Sequence, residues 1–93
     1  MKQNSNQTIE RWGIRYTGIV QGVGFRPLVS MWAHSLGLTG FVYNDSQGVY
    51  VEIQGYIGDL QLFLDAIQDD QPRLCRITSQ RVEHLTIQNK EVE

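Results

Sequence analysis

An arginine preceded by two spaced glycines and followed by a proline is the feature of this sequence that points most directly to chemistry. The stretch from Gln21 to Pro27 reads QGVGFRP, with Gly22 and Gly24 ahead of Arg26. Glycine adopts backbone conformations that other residues rarely reach, and proline favours the first position of a helix. Arg26 is therefore predicted to stand where a bent loop ends and a helix begins. Loop N–H groups, the positive end of the helix and a guanidinium together favour binding of a phosphate dianion without a metal.

An asparagine at the end of a later strand is the second chemical candidate. The segment LTGFVYN predicts a strand that ends at Asn44, and an earlier strand ends at the glycine loop. If these strands run parallel with one strand between them, their ends share one sheet edge, roughly 10 Å apart. The Asn44 amide could then orient a water for in-line attack on a phosphate held by Arg26. No strong general base is visible in these segments, which favours a substrate with a good leaving group, such as an acyl phosphate.

Hydrophobic periodicity predicts the elements that position these residues. Pro27 is expected to open the first helix and Gly37 to close it, whereas Asp59 is expected to cap the second helix before Pro72 stops it. Imperfect alternation in the last strand predicts a bulge or a two-faced strand there. The order is βαββαβ, which predicts an α+β, ferredoxin-like two-layer sandwich with two helices on one face of an antiparallel sheet. The strands are predicted over residues 11–20, 38–44, 49–54 and 76–85, and the first helix over 27–36.

Length and composition are those of one globular domain. The chain has 93 residues, of which 41% are hydrophobic and 19% charged, enough for one compact domain and not two. The first eight residues are predicted to be a flexible polar tail, and residues 9–93 to form the domain. Trp12, Trp32 and Phe41 are expected to be core or partly buried packing residues. Tyr16 and Tyr43 are expected to pack in the core or on the surface, although either could border a ligand.

Charge and cysteine content exclude several functional classes. A formal net charge of −2, from eight basic and ten acidic residues, argues against nucleic acid as a partner. The start of the chain has no apolar segment of a signal peptide, and no run approaches the length of a membrane span. We therefore expect a cytoplasmic protein with no membrane partner. Cys75 is expected to be a reduced thiol. His34 and His84 share no motif, and neither a metal nor another cofactor is predicted.

Taken together, VQGVGFR, an asparagine at the end of the next strand and GVYVEIQG resemble the acylphosphatase family over about residues 12–85. The resemblance implies that Arg26 binds the substrate phosphate and that Asn44 orients the attacking water. It also implies that the loop before the helix forms the phosphate cradle together with Arg26. The cradle residues by position are Gln21, Gly22, Val23, Gly24 and Phe25.

Two further details resemble one branch of the family, the N-terminal acylphosphatase-like domains of the hydrogenase maturation carbamoyltransferases. These are Pro27 directly after Arg26 and the pair Asn44-Asp45. The resemblance implies carbamoyl phosphate as the small-molecule substrate, further domains downstream in the same protein and a hydrogenase maturation protein as partner. Three alternatives stay open: a module that binds carbamoyl phosphate without hydrolysing it, a free-standing acylphosphatase, and a ferredoxin-like RNA-binding or regulatory domain. The last would require exposed aromatic residues and a basic face on the sheet.

Overall fold

A computed structural model describes residues 7–89 of the chain. Residues 1–6 of the predicted tail and residues 90–93 lie outside the described residues. Within that range the predicted order of six elements is confirmed. The elements are β1 (Ile9–Ile19), α1 (Phe25–Ser35), β2 (Thr39–Asp45), β3 (Gly48–Tyr56), α2 (Ile57–Asp69) and β4 (Arg76–Leu85).

The four strands form one antiparallel sheet in the order β2-β3-β1-β4. Strand β3 pairs antiparallel with both β1 and β2, so β1 and β2 run parallel to each other with β3 between them. This confirms the predicted α+β, ferredoxin-like sandwich. Its consequence for function is that β1 and β2 both end at the same edge of the sheet.

The core lies between the sheet and the two helices. Alternate residues of β1 and β3 face the helices and are buried, and α2 contributes the predicted helical stripe. The core includes Trp12, Ile14, Tyr16, Val49, Val51, Ile53, Leu60, Phe63 and Ile67. Phe41 is predicted to be a core or partly buried residue, and the structure places it outside this core. Its side chain is 47% exposed and lies over the opposite face, parallel to the ring of Tyr43.

Helix α1 begins two residues earlier than the sequence predicts. Its first residue is Phe25, preceded by Gly24 in the left-handed conformation (φ 86°), so the prediction that Pro27 opens the helix is wrong. The reason is tertiary, because Phe25 is buried and packs edge-on against the Tyr16 ring. Pro27 remains within the first turn, where its missing N–H would have no partner inside the helix. The predicted end is confirmed, since Gly37 has φ 71°.

Helix α2 also begins early, at Ile57, so Asp59 is not its N-cap. Tyr56 holds the cap position with extended backbone, and the Ile57 N–H donates to the Thr8 carbonyl at 2.8 Å. Asp59 instead lies in the first turn, where its carboxylate still favours the positive helix end. Neither helix, nor any other within residues 7–89, has the length and apolarity that crossing a bilayer requires.

Strand β4 has the predicted bounds and the predicted irregularity. Its register against β1 shifts between Thr17, which pairs with Ser79, and Gly18, which pairs with Ile77. One extra residue, Thr78, therefore stands in β4, as expected of a bulge. The irregularity falls close to the end of β1, just before the glycine loop.

Candidate active site

The loop between β1 and α1 depends on glycine for its backbone conformation. Gly22 and Gly24 have φ values of 74° and 86°, a region that costs other L-residues roughly 1–2 kcal/mol. Steric crowding is not the reason for glycine here. A Cβ on Gly22 would meet no atom within 4 Å, and one on Gly24 would come no closer than 3.9 Å to Pro72. The loop is therefore strongly bent and open to a ligand from solvent.

The start of α1 presents hydrogen-bond donors and a positive partial charge. The helix has no side-chain N-cap bond and no acidic residue in its first turn. Within residues 7–89, no backbone N–H from Gln21 to Gly24 donates to a backbone carbonyl. Donors left unpaired at a helix N-terminus are a ready site for an anion. The loop and the helix together therefore have the chemistry of a phosphate cradle.

Arg26, the second residue of α1, has an exposed side chain. It forms no ion pair with any part of the chain that the structure describes. Two other arginines are already engaged. Arg11 Nε lies 2.9 Å from Glu52 Oε1, and Arg15 Nη1 lies 2.7 Å from Asp45 Oδ1. Arg26 therefore lies exposed at the mouth of the loop, a position compatible with an external anion, and its binding of phosphate stays a prediction.

The two apolar residues of the predicted cradle, Val23 and Phe25, anchor the loop to the core with their side chains. Phe25 is buried, with its ring 5.0 Å from that of Tyr16 at an interplanar angle of 69°. Val23 is half-buried against the same core. Burial raises the pKa of Tyr16 above its usual range, so this ring stays neutral. Val23 and Phe25 are therefore suited to offer a ligand only their backbone, and Phe25 fixes the position of its neighbour Arg26.

Asn44 lies near the end of β2, on the face of the sheet that carries the helices. It pairs with Val49 of β3, and Val49 pairs in turn with Tyr16 of β1. Directly paired residues point to the same side of a sheet, and both Val49 and Tyr16 are buried in the helix-facing core. The Asn44 amide is exposed at the edge of that face. It therefore stands on the side from which α1 and its preceding loop rise.

The structure brings the loop and the end of β2 together, as the topology predicts. Gln21 Nε2 donates to the Asp45 carbonyl at 2.7 Å and to the Gly48 carbonyl at 3.2 Å. One side chain of the loop thus contacts the residue that follows Asn44. The sequence predicts Gln21 as a residue of the cradle loop, and the two side-chain bonds to the β2–β3 turn are a finding of the structure.

Asp45 itself is held by a network that the sequence analysis missed. Besides the bond from Arg15, its Oδ1 accepts the backbone N–H of Gln47 at 2.8 Å. These two donors, Arg15 first, hold the pKa of Asp45 below its usual value. Arg15 also lies over the ring of Tyr50, 5.3 Å from its centroid. Arg15 and Asp45 are thirty positions apart, so only the strand register could have indicated this pair.

The outer face of the sheet bears on the RNA-binding alternative. It does carry the exposed aromatic rings that this alternative required, with Phe41 and Tyr43 stacked 6.0 Å apart. Its charges, however, are of both signs. A groove on this face is lined by Arg15, Arg81 and Glu83. A face of mixed charge is not the basic surface that a nucleic-acid backbone requires.

The other side chains with potential reactivity or metal affinity are those of Cys75, His84 and His34. Cys75 is buried, and burial raises the pKa of its thiol, as for an unreactive cysteine. His84 is exposed and stacks on Trp12 at 5.6 Å. His34 is exposed on α1. Within residues 7–89, no three potential metal-ligating side chains form a group.

Sequence comparison finds two kinds of relative. The carbamoyltransferase HypF of Rhodobacter capsulatus is 43% identical over 74 residues, which are 80% of this chain and 10% of that protein. The acylphosphatase of Thermotoga maritima is 39% identical over 74 residues, or 78% of this chain and 81% of the relative. The chain thus spans about a tenth of the length of the carbamoyltransferase relatives.

Structural comparison finds the same two kinds of relative, a HypF protein and an acylphosphatase. A full-length HypF in a phosphate- and nucleotide-bound form matches with a TM-score of 0.85 and 38% identity, over 88% of this chain and 11% of that one. The acylphosphatase from Bacillus subtilis matches with a TM-score of 0.79 and 30% identity, over 88% and 90% of the two chains. The acylphosphatase family model matches residues 12–93. On this sequence and this fold, the chain belongs to the acylphosphatase family.

Proposed function

We propose that this chain hydrolyses an acyl phosphate, with carbamoyl phosphate as its substrate, by attack of water on phosphorus. The observation that carries the proposal is the open helix N-terminus with Arg26, joined through Gln21 to the strand end beside Asn44. A site of this kind offers donors for a phosphate and a neutral amide at its side. The proposed reaction relies on Arg26 for charge stabilisation and needs neither a metal nor a general base.

Arg26 and the loop are proposed to bind the phosphoryl group. The guanidinium fork matches two phosphate oxygens, and the N–H groups of the loop and the first helical turn surround the others. As the bond to the leaving group breaks, charge spreads over the three equatorial oxygens, and donors already aimed there stabilise it. Lysine would supply the charge without the two-pronged geometry.

Asn44 is proposed to orient the attacking water. Its amide oxygen accepts a hydrogen bond from that water, and the water oxygen attacks phosphorus opposite the leaving group. The bond between phosphorus and the bridging oxygen breaks, and carbamate leaves with the electron pair. The protons of the water end on the phosphate product or in solvent. Because carbamate is a good leaving group, no general acid is needed.

The relatives support the choice of substrate and of catalysis. Carbamoyltransferases named HypF share 43–45% identity with this chain in three bacteria, which favours carbamoyl phosphate. Relatives named acylphosphatase match over 74–81% of their own length, which favours hydrolysis by a unit of this size. We further propose that the chain acts in the cytoplasm as the acylphosphatase domain of a HypF-type carbamoyltransferase. Downstream domains and a hydrogenase maturation protein would then be its partners.

The test compares binding with turnover. The constants kcat and KM are measured for carbamoyl phosphate and an aryl acyl phosphate, together with inhibition by inorganic phosphate. Arg26→Ala and Arg26→Lys are expected to abolish both turnover and phosphate binding, whereas Asn44→Ala loses most turnover and keeps phosphate affinity. Arg81→Ala is the matched control, because Arg81 is exposed on the outer face of the sheet.

Three results would contradict or change the proposed function. Turnover of the wild-type order in Arg26→Ala or Arg26→Lys would contradict the assignment of the phosphate site. Loss of phosphate affinity at an unchanged kcat in Asn44→Ala would contradict its role in orienting water. A folded wild-type chain that binds phosphate without turnover would indicate a capture module.

A further inference from the structure

We infer that Gln21 is a positioning residue, whose side chain fixes the phosphate loop relative to Asn44 and does not itself bind phosphate. The inference rests on the proposed function of Arg26 and Asn44 and goes beyond it. The family resemblance places Gln21 in the cradle loop, and the inference gives its side chain a role between the two halves of the site.

The Gln21 amide is already committed within the protein. Its Nε2 bonds to both the Asp45 and the Gly48 carbonyls, at 2.7 and 3.2 Å. A primary amide nitrogen has two N–H donors, and both are used by these contacts. A phosphate accepts hydrogen bonds and donates few, so the remaining amide oxygen has little to offer it. Only the backbone N–H of Gln21 is left for the cradle.

The two acceptors are fixed points of the turn that follows Asn44. Asp45 and Gly48 pair with each other where β2 turns into β3. The Asp45 carboxylate is held by Arg15 of β1. Gly48 has φ 123°, and a Cβ there would lie 2.2 Å from the Tyr16 carbonyl, so its backbone is packed tightly against β1. Gln21 therefore bonds to a rigid turn.

The order of the strands explains what such a bond contributes. Arg26 is held by the loop after β1, and Asn44 by the end of β2, and these two strands are not neighbours in the sheet. Their relative position also depends on β3, which pairs with both strands, and on the Arg15–Asp45 ion pair, which joins β1 to the turn. The Gln21 side chain adds a contact that runs from the loop itself to the turn. In-line attack is sensitive to this spacing, since a displacement of about 1 Å can cost roughly 100-fold in rate.

The experiment is Gln21→Met, which keeps the length of the side chain and removes its donors. The matched control is Gln47→Met in the same turn, because the Gln47 contact to Asp45 comes from its backbone N–H and survives the substitution. We expect Gln21→Met to lower kcat about 10- to 100-fold with phosphate inhibition changed by less than about threefold. Gln47→Met is expected to resemble the wild type.

A double-mutant cycle shows whether Gln21 acts through Asn44. In an Asn44→Ala background, adding Gln21→Met is expected to change kcat by less than about twofold, since no oriented amide is left to displace. The same loss of kcat in both backgrounds would overturn the inference. So would a Gln21→Met variant that loses phosphate affinity at constant kcat, because that result marks a ligand.

Amide exchange measured by NMR separates this inference from the proposed function. Gln21→Met is expected to speed exchange at the backbone N–H groups of residues 44–48, whereas Gln47→Met leaves it unchanged. A wild-type chain without acylphosphatase activity would refute the proposed function while the exchange data still test the positioning contact. Unchanged exchange in Gln21→Met would refute the positioning role even if the wild type is active.

Discussion

Gly24 and Gly37 offer a matched test of the phosphate cradle, because they flank the two ends of α1 in the same backbone conformation. Their φ values are 86° and 71°. A Cβ at Gly37 would meet no atom within 4 Å, and at Gly24 it would only touch Pro72 at 3.9 Å. Alanine at either site therefore adds backbone strain without a clash, which costs roughly 1–2 kcal/mol. For a domain of this size, each kcal/mol lowers Tm by about 4–8 °C.

The two variants should differ in phosphate binding. Gly24→Ala distorts the loop whose N–H groups are proposed to face the anion, whereas Gly37→Ala changes only the far end of the helix. Losing one hydrogen bond to a charged group costs about 1.5–3 kcal/mol. Gly24→Ala is therefore expected to weaken binding of inorganic phosphate and to lower kcat/KM by about 10- to 100-fold. Gly37→Ala is expected to match the wild type in both.

Thermal unfolding, phosphate titration and acyl phosphate hydrolysis are measured on both variants well below their Tm values. Similar losses of Tm with a selective loss of phosphate binding in Gly24→Ala would agree with the cradle. Equal phosphate binding by the two variants would show that the loop backbone does not hold the anion. A far larger loss of Tm in Gly24→Ala alone would show that Gly24 is needed for packing, contrary to the open space around it.

Two further predictions concern the ion pairs of the outer sheet face. Arg11→Met is expected to cost about 3–5 kcal/mol in urea unfolding, because Arg11 is 2% exposed and its loss leaves the half-buried Glu52 carboxylate with the Tyr50 hydroxyl but without its cationic partner. The double variant Arg11→Met/Glu52→Leu should be more stable than Arg11→Met, and a double variant less stable than either single one would contradict this. Folding lowers the pKa of the Asp45 carboxyl below its value in the unfolded chain, which is near 4, so the ionised carboxylate stabilises the fold above that pH and this contribution is lost as the pH falls through the pKa of the folded state. Asp45→Asn should therefore lose less unfolding free energy than the wild type between about pH 5 and 2.5. An identical acid dependence of the two proteins would speak against the Arg15 contact.

Periodicity was enough to predict the elements and the shared edge of the site. Leu60, Phe63 and Ile67 recur at helical spacing and are buried together, so α2 could be identified from the sequence. The order of the elements then determined which strands run parallel. From that topology alone, the glycine loop and Asn44 were expected at one edge, and the bond from Gln21 to Asp45 places them there.

Details that depend on tertiary contacts could not be predicted in this way. The start of α1 was misplaced because burial of Phe25 against Tyr16 decides it, and local propensity favoured Pro27. Phe41 was misassigned because β2 is an edge strand with apolar residues on both faces, so its alternation does not reveal which face is buried. The contact of Arg15 with Asp45 depends on strand register.

Arg26 is proposed to hold an acyl phosphate for attack by water at phosphorus. Hydrolysis of carbamoyl phosphate in ¹⁸O-labelled water with a chelator present, followed by ³¹P NMR, tests this on the wild type and on Arg26→Ala. We expect wild-type turnover that places one ¹⁸O in the phosphate product and is abolished in Arg26→Ala. Unlabelled phosphate, or labelled phosphate formed equally fast by Arg26→Ala, would contradict it.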